Sequence, residues 1–244
     1  MSDKQKKGKK VVQIKDWSAT GGPRETLLQK GPEALSDAAI LAVLLGTGGR
    51  RKEAVDLARE VLKEFGGFHG LMSTAYEDLL KIKGMGKAKT VQILAAMEIV
   101  KRQLRRALEK VSVVQSADHL FNYLRMSMGN LNREEFRLLH LSRSNHLIAE
   151  EVLRKGSADL STVHPRQVVE SALRRKASAL ILAHNHPTGL LEASEEDIEL
   201  TLALVKACWI DDIPILDHII IGRGGFRSMK RDYPDIFAGE DEVA

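Results

Sequence analysis

The sequence predicts a two-domain protein of the α+β or α/β class, with an all-helical N-terminal domain followed by an α/β domain. Three observations predict it. Apolar residues recur at three- and four-residue steps up to about residue 110 and in strand-length blocks after it. The 244 residues are 43% hydrophobic, enough for a sizeable core and unlike a disordered or fibrous chain. The formal charge of +4 also divides near residue 110: residues 1–110 hold 22 Lys and Arg against 13 Asp and Glu, and residues 111–244 hold 15 against 20. A basic half implies a polyanionic partner, and an acidic half implies a different task.

Residues 1–15 read as a basic disordered tail, because MSDKQKKGKK is low-complexity and carries no apolar pattern. The helical domain takes residues 16–110. Leu27, Leu28, Leu35, Ile40, Val43 and Leu44 form one helical series, and Val55, Leu57, Ala58, Val61, Leu62 and Phe65 another. Gly31-Pro32, Gly46–Gly49 and Gly66-Gly67 interrupt them, while Ser36 and Ser73 are suited to cap helices. A charged helix over Thr90–Lys110 closes the domain and leads into a linker near Lys110–Ser116. The α/β domain takes residues 115–238. Ser116 caps a helix over Asp118–Met128, and strands Phe136–Leu141, His146–Leu153, Ala179–Ala183 and Ile215–Ile221 interleave with helices Pro165–Lys176 and Ser194–Trp209.

Several classes are excluded. The longest apolar runs, such as Ala39–Leu45, are too short to span a bilayer, and the Lys-rich N-terminus has no apolar signal segment. The expectation is a cytoplasmic protein with no membrane partner. Cys208, the one cysteine, can form neither an internal disulfide nor a zinc site built on several thiolates.

Two stretches carry chemistry. In Lys83-Gly84-Met85-Gly86-Lys87-Ala88-Lys89 two glycines separate helical segments. They permit a tight turn, and the free N–H groups opening the next helix, with Lys87 and Lys89 beside them, suit a phosphate. The same residues also suit a plain helix–helix turn. The pattern resembles the helix-hairpin-helix motif of non-specific DNA binders, which makes the DNA backbone the partner of Gly84, Gly86, Lys87 and Lys89; Thr90 stands where that motif has a small Ala.

The second stretch is Leu182-Ala183-His184-Asn185-His186-Pro187-Thr188-Gly189, followed by Ser194-Glu195-Glu196-Asp197. Residues two apart on a strand share a side, so both imidazoles can meet one metal ion, and Asp197 in the next helix can add a carboxylate. Ser194-x-x-Asp197 is equally the spacing of a capping box. A nucleobase deaminase is excluded, since it needs a later Pro-Cys-x-x-Cys. The letters His-Asn-His do not make an HNH nuclease, whose residues are dispersed through a ββα unit.

This spacing resembles the JAMM (MPN) metalloprotease motif, and the chain is similar to the bacterial RadC family over nearly its whole length. The residues that carry the likeness include Arg24–Leu28, Leu44–Gly48, Lys83–Ala88, Val163–Arg166, Ala183–Gly189 and Leu216–His218. The resemblance implies a JAMM/MPN, cytidine deaminase-like fold for the second domain. It implies Zn2+ held by His184, His186 and Asp197, and a metallopeptidase reaction on an amide or isopeptide bond. Ser194 would then stabilise the oxyanion. The general base would be a glutamate five residues before a glycine, which gives Glu151 rather than its neighbour Glu150. His164 and His218 are candidates to orient the ligands. The alternatives are a DNA-acting metallonuclease and a non-catalytic DNA-associated protein with a structural metal.

Overall fold

A computed structural model describes residues 21–48, 53–155 and 163–238. The predicted tail at 1–15 lies outside the described residues. These residues form two compact units, one running to Phe68 with Leu79–Ile93, the other taking His69–Asp78 and everything from Leu94.

The first unit is helical: α1 (Pro23–Lys30), α2 (Asp37–Leu45), α3 (Ala54–Phe65), the last part of α5 (Tyr76–Lys81) and the start of α6 (Lys87–Lys110). Ser36 caps α2 by accepting from the Ala39 N–H, as its sequence position predicts. Leu41, Leu45, Leu57, Ala58, Val61, Leu79 and Ile93 fill the core. Between α5 and α6, Gly84 takes a φ of +104°, which a side chain would strain, and Met85 is buried beneath the turn.

The second unit is an α/β domain with a short helix, α4 (Gly67–Leu71), at its N-terminal border. Its elements are α7 (Ala117–Met128), β1 (Glu135–Leu141), β2 (Leu147–Lys155), α8 (Pro165–Arg174), β3 (Ala179–Asn185), α9 (Glu195–Trp209), β4 (Ile215–Gly222), β5 (Gly225–Ser228) and α10 (Met229–Asp232). The strands order β2-β1-β3-β4-β5, with β3 and β4 parallel across the α9 crossover and every other pair antiparallel. β3 is buried at every position, which fits its apolar run Ala179–Ala183, because both faces of the sheet are covered. Leu139, Leu141, Ile181, Ala183, Ile219 and Ile221 pack on α7, and Phe136, Leu138, Leu180 and Leu182 pack on α8 and α9.

The predicted boundary at residue 110 moves. Leu104 packs against the α7 core and Leu108 is fully buried within it, so the second half of α6 belongs to the α/β unit. Charge marked this helix as a terminus, but its two leucines bind it to the following domain. Among the described residues, no helix is long and apolar enough to cross a membrane.

Candidate metal centre

β3 ends at Asn185, and the chain turns back through Pro187 to Gly189. The turn is pinned to β4: the His186 N–H donates to Ile221 O at 2.9 Å, and Gly189 N–H to His186 O at 2.9 Å. Gly189 has φ +87°, and a Cβ on Gly222 would lie 2.6 Å from the Gly189 carbonyl, so this close approach needs glycine on β4. The N-terminus of α9 then brings Asp197 under the two imidazoles.

Three ligand atoms converge. His184 Nε2 lies 2.9 Å from His186 Nε2 and 3.1 Å from Asp197 Oδ1, and His186 Nε2 lies 3.5 Å from Asp197 Oδ2. His184 and Asp197 are fully buried. Hydrogen-bond partners fix where the protons sit. Thr201 Oγ1 has one hydrogen, and the Asp197 carbonyl 2.5 Å away can only accept it. The hydroxyl must therefore accept from His218 Nδ1 at 2.6 Å, and a neutral His218 must accept at Nε2 from His184 Nδ1–H at 2.7 Å. Burial pushes the His218 pKa well below its ordinary value, which keeps the ring neutral. His186 Nδ1 faces the Leu190 carbonyl at 3.0 Å and must donate to it. With both rings neutral, the two Nε2 atoms are thus left with lone pairs pointing at each other.

Asp197 completes the pattern. Its Oδ2 accepts from both the N–H and the hydroxyl of Ser194, each at 2.8 Å, and the Asp197 N–H returns a bond to Ser194 Oγ at 3.1 Å. This is a full capping box, and it uses only one carboxylate oxygen. Oδ1 is buried and has no hydrogen-bond partner. Burial opposes the charge on Asp197, but where His184 and His186 carry a proton on Nε2 in the metal-free site, hydrogen bonds from them, with that from the Ser194 N–H, outweigh it and hold the carboxyl well below the usual carboxylate range. Two imidazole lone pairs and an orphaned carboxylate oxygen repel one another unless a cation lies among them, so the residues present fit a divalent metal ion. Two His and one carboxylate leave a coordination position open to water, as catalytic zinc sites do.

One carboxylate was missed from sequence. Glu134, half-buried just before β1, is close enough to the triad for His184, His186 and Asp197 all to act on its charge. Burial pushes its pKa up, the two imidazoles pull against that, Asp197 reinforces it, and the net shift is upward. Asn185 holds the segment in place: its Oδ1 accepts from the Glu135 N–H at 2.9 Å, and its Nδ2 donates to Arg133 O at 3.1 Å and Leu131 O at 3.5 Å. Phe136 walls the site, its ring 6.4 Å from His184 and 5.5 Å from His218.

The structure does not bring Glu151 to the triad. β2 is an edge strand separated from β3 by β1, and Glu151 pairs across from Leu138, two residues past the partner of His184. Two strand spacings alone put it about 10 Å away. Its carboxylate instead accepts from Ser171 and pairs with Arg175 at 2.9 Å. Glu150 points to the other face, where Tyr123 donates to it and Arg137 pairs with it at 2.8 Å. His218 does stand behind His184, whereas His164 is exposed at the start of α8 and makes no capping bond. In the hairpin, Gly86 and Lys87 are exposed, but the Lys89 ammonium closes the turn by donating to Gly48 O at 2.7 Å and Gly84 O at 3.3 Å. Thr90 is fully buried.

Comparison with known proteins divides the chain at a similar place. A family described as RadC-like JAB domain matches residues 114–233, and one described as UPF0758 N-terminal matches residues 14–91. A UPF0758 protein from Marinomonas sp. (strain MWYL1) is 41% identical over 213 residues, covering 87% of this chain and 95% of its own. One from Coprothermobacter proteolyticus is 41% identical over 225 residues, covering 91% and 96%. One from Cellvibrio japonicus is 42% identical over 219 residues, covering 89% and 97%.

Proposed function

The chain belongs to the UPF0758 family of RadC-like JAB-domain proteins, and from that premise we propose that it is a zinc-dependent hydrolase of amide or isopeptide bonds. The observation that carries the reading is the proton inventory of the triad, which leaves two imidazole lone pairs and one orphaned carboxylate oxygen facing one point. His184, His186 and Asp197 would hold the ion. When bound, such an ion acts as a Lewis acid toward water and a substrate carbonyl.

The rest of the chemistry falls to the chain. Glu134 lies close enough to the triad for its charges to act on it and is the carboxylate we assign to accept a proton from the attacking water and return it to the departing amine nitrogen. Asn185 fixes its backbone, and the apolar face of Phe136 limits water on one side. Ser194 spends its hydroxyl hydrogen on Asp197 Oδ2, which turns Oδ1 toward the imidazoles. That bond supports a role in orienting a ligand ahead of a role at the oxyanion.

Metal analysis of the purified protein, with His184→Ala and Asp197→Ala beside it, tests the site. Stoichiometric zinc in wild type and its loss in both variants are expected, and retention in both overturns the assignment. Isopeptide and peptide substrates, with labelled DNA in parallel, test the reaction. Cleavage of an amide substrate that disappears in Glu134→Gln supports the reading, and DNA cleavage that disappears instead refutes it.

A further inference from the structure

Behind the sheet lies a second concavity, on the opposite face from the metal centre. β1 alternates, so Phe136 and Leu138 face α8 and α9 while Arg137 and Leu139 face α7. Between the second half of α6, α7 and Arg137 is an open cleft of about 680 Å³, lined from α6 by Lys101, Arg102, Arg105 and Arg106. The volume lies within the roughly 300–1,000 Å³ usual for small-molecule sites.

The four cations occupy little more than one helical turn, and Glu98 and Glu109 lie at the two ends of their row. They are loosely engaged. Lys101 and Arg102 share Glu98, Arg105 is 3.8 Å from Glu109, and Arg106 has no ion pair among the described residues. Arg102 and Arg105 are 76% and 48% exposed, so these pairs are solvent-screened and open to exchange. Below them Arg137 is already saturated by Glu135, Glu150 and the Ser127 carbonyl, so it shapes the floor without competing for a ligand.

We propose that this cleft binds a compact polyphosphate group, of the kind a nucleoside di- or triphosphate carries. Guanidinium forks match phosphate oxygens two at a time, and three of them beside a lysine suit two or three linked phosphates. The acidic ends argue against a long polyanion running along the helix. So does the absence of an exposed ring: Tyr123, the aromatic residue of the lining, is 5% exposed and its hydroxyl is given to Glu150. A single-stranded nucleic acid track would offer bases a stacking surface.

Calorimetric titration of the metal-free full chain with pyrophosphate tests this. One equivalent should bind, more weakly as salt rises. The double variant Arg105→Ala/Arg106→Ala should lose about tenfold or more in affinity, as expected for two charge-assisted phosphate contacts. Lys87→Ala and His184→Ala should bind as wild type does. Three results each overturn the proposal: no heat at millimolar pyrophosphate, unchanged affinity in the double variant, or loss of binding in His184→Ala. A 12-mer oligonucleotide that binds more tightly than pyrophosphate and depends on the same arginines would also overturn it, in favour of a nucleic acid surface.

Discussion

Thr201 touches none of the three converging side-chain atoms, yet the proton inventory makes the proposed metal binding depend on it. Replacing Thr201 by Val keeps the shape and deletes the hydroxyl, which has two consequences. The buried His218 Nδ1–H loses its acceptor at 2.6 Å, and an unsatisfied buried donor costs about 1–3 kcal/mol. At about 2 kcal/mol the melting temperature of a protein this size falls by about 4–8 °C. The second consequence is specific. With nothing at Nδ1 to accept a hydrogen, His218 gains by carrying it on Nε2, directed at His184 Nδ1 2.7 Å away. His184 must then place its own hydrogen on Nε2, the atom aimed at the triad. Loss of such an outer partner weakens metal binding by about 10–100-fold. That corresponds to about 1.4–2.7 kcal/mol. Zinc competition against a chromophoric chelator measures the affinity, nitrogen-15 shifts of the histidines report the tautomers, and thermal melting reports stability. Thr201→Ser keeps the hydroxyl and should restore all three. Wild-type zinc affinity in Thr201→Val, with His184 still protonated on Nδ1, would refute the wiring.

Other consequences are as direct. Glu134→Gln should retain the metal and lose about 10²–10⁴-fold in hydrolysis, whereas Glu151→Gln should keep its turnover and melt earlier, because Ser171 and Arg175 lose their charged partner. In the metal-free protein the hydrogen bond to Asp197 raises the His186 pKa above its ordinary 6.5. That contribution to stability is fully present below pH 6.5 and is lost as pH rises through the folded value, so melting curves of the metal-free protein should show it and His186→Gln should remove it. The same proton competes with the ion, so zinc affinity should fall on acidification through this range. Leu108→Ala should destabilise the α/β unit by about 2–5 kcal/mol, read as faster amide exchange in β3. A change under about 0.5 kcal/mol would return the end of α6 to the helical domain.

The triad was legible because its geometry is local. A His-x-His pair on a strand and a Ser-x-x-Asp opening the next helix can be placed without knowing the sheet order. The two readings of Asp197, helix cap and metal ligand, do not exclude each other. The cap occupies Oδ2 and leaves Oδ1 orphaned. The four strands were legible for the same reason, each being an apolar-rich segment of strand length, while the four-residue β5 is too short to carry a period. The nearness of Glu134 to the triad was not legible. Glu134-Glu135 and Glu150-Glu151 look alike in sequence, and a count back from Gly156 selects the second pair. What separates them is strand order. β1 lies antiparallel beside β3, so its first residues arrive where β3 ends, whereas β2 is one strand further out. A residue preceding a strand next to the His-bearing strand was the available signal, and reading it required the pairing.

The alternation of β3 joins these parts. His184 and His186 point to one side and hold a common point. Asn185 between them points to the other, where its amide takes the Glu135 N–H and gives hydrogens to the carbonyls of Leu131 and Arg133. Three successive residues therefore set both the imidazoles of the triad and the backbone that carries Glu134, although some fifty residues of chain separate them. A side chain at 185 must accept one hydrogen bond and donate others at once, which an amide does. A carboxylate or an aliphatic group does not. An Asp there could keep the Glu135 bond only by turning negative oxygen toward two carbonyls, and the loop would move away from the triad. The middle residue of His-Asn-His is thus under the same geometric demand as its neighbours, exerted through the opposite face of the strand.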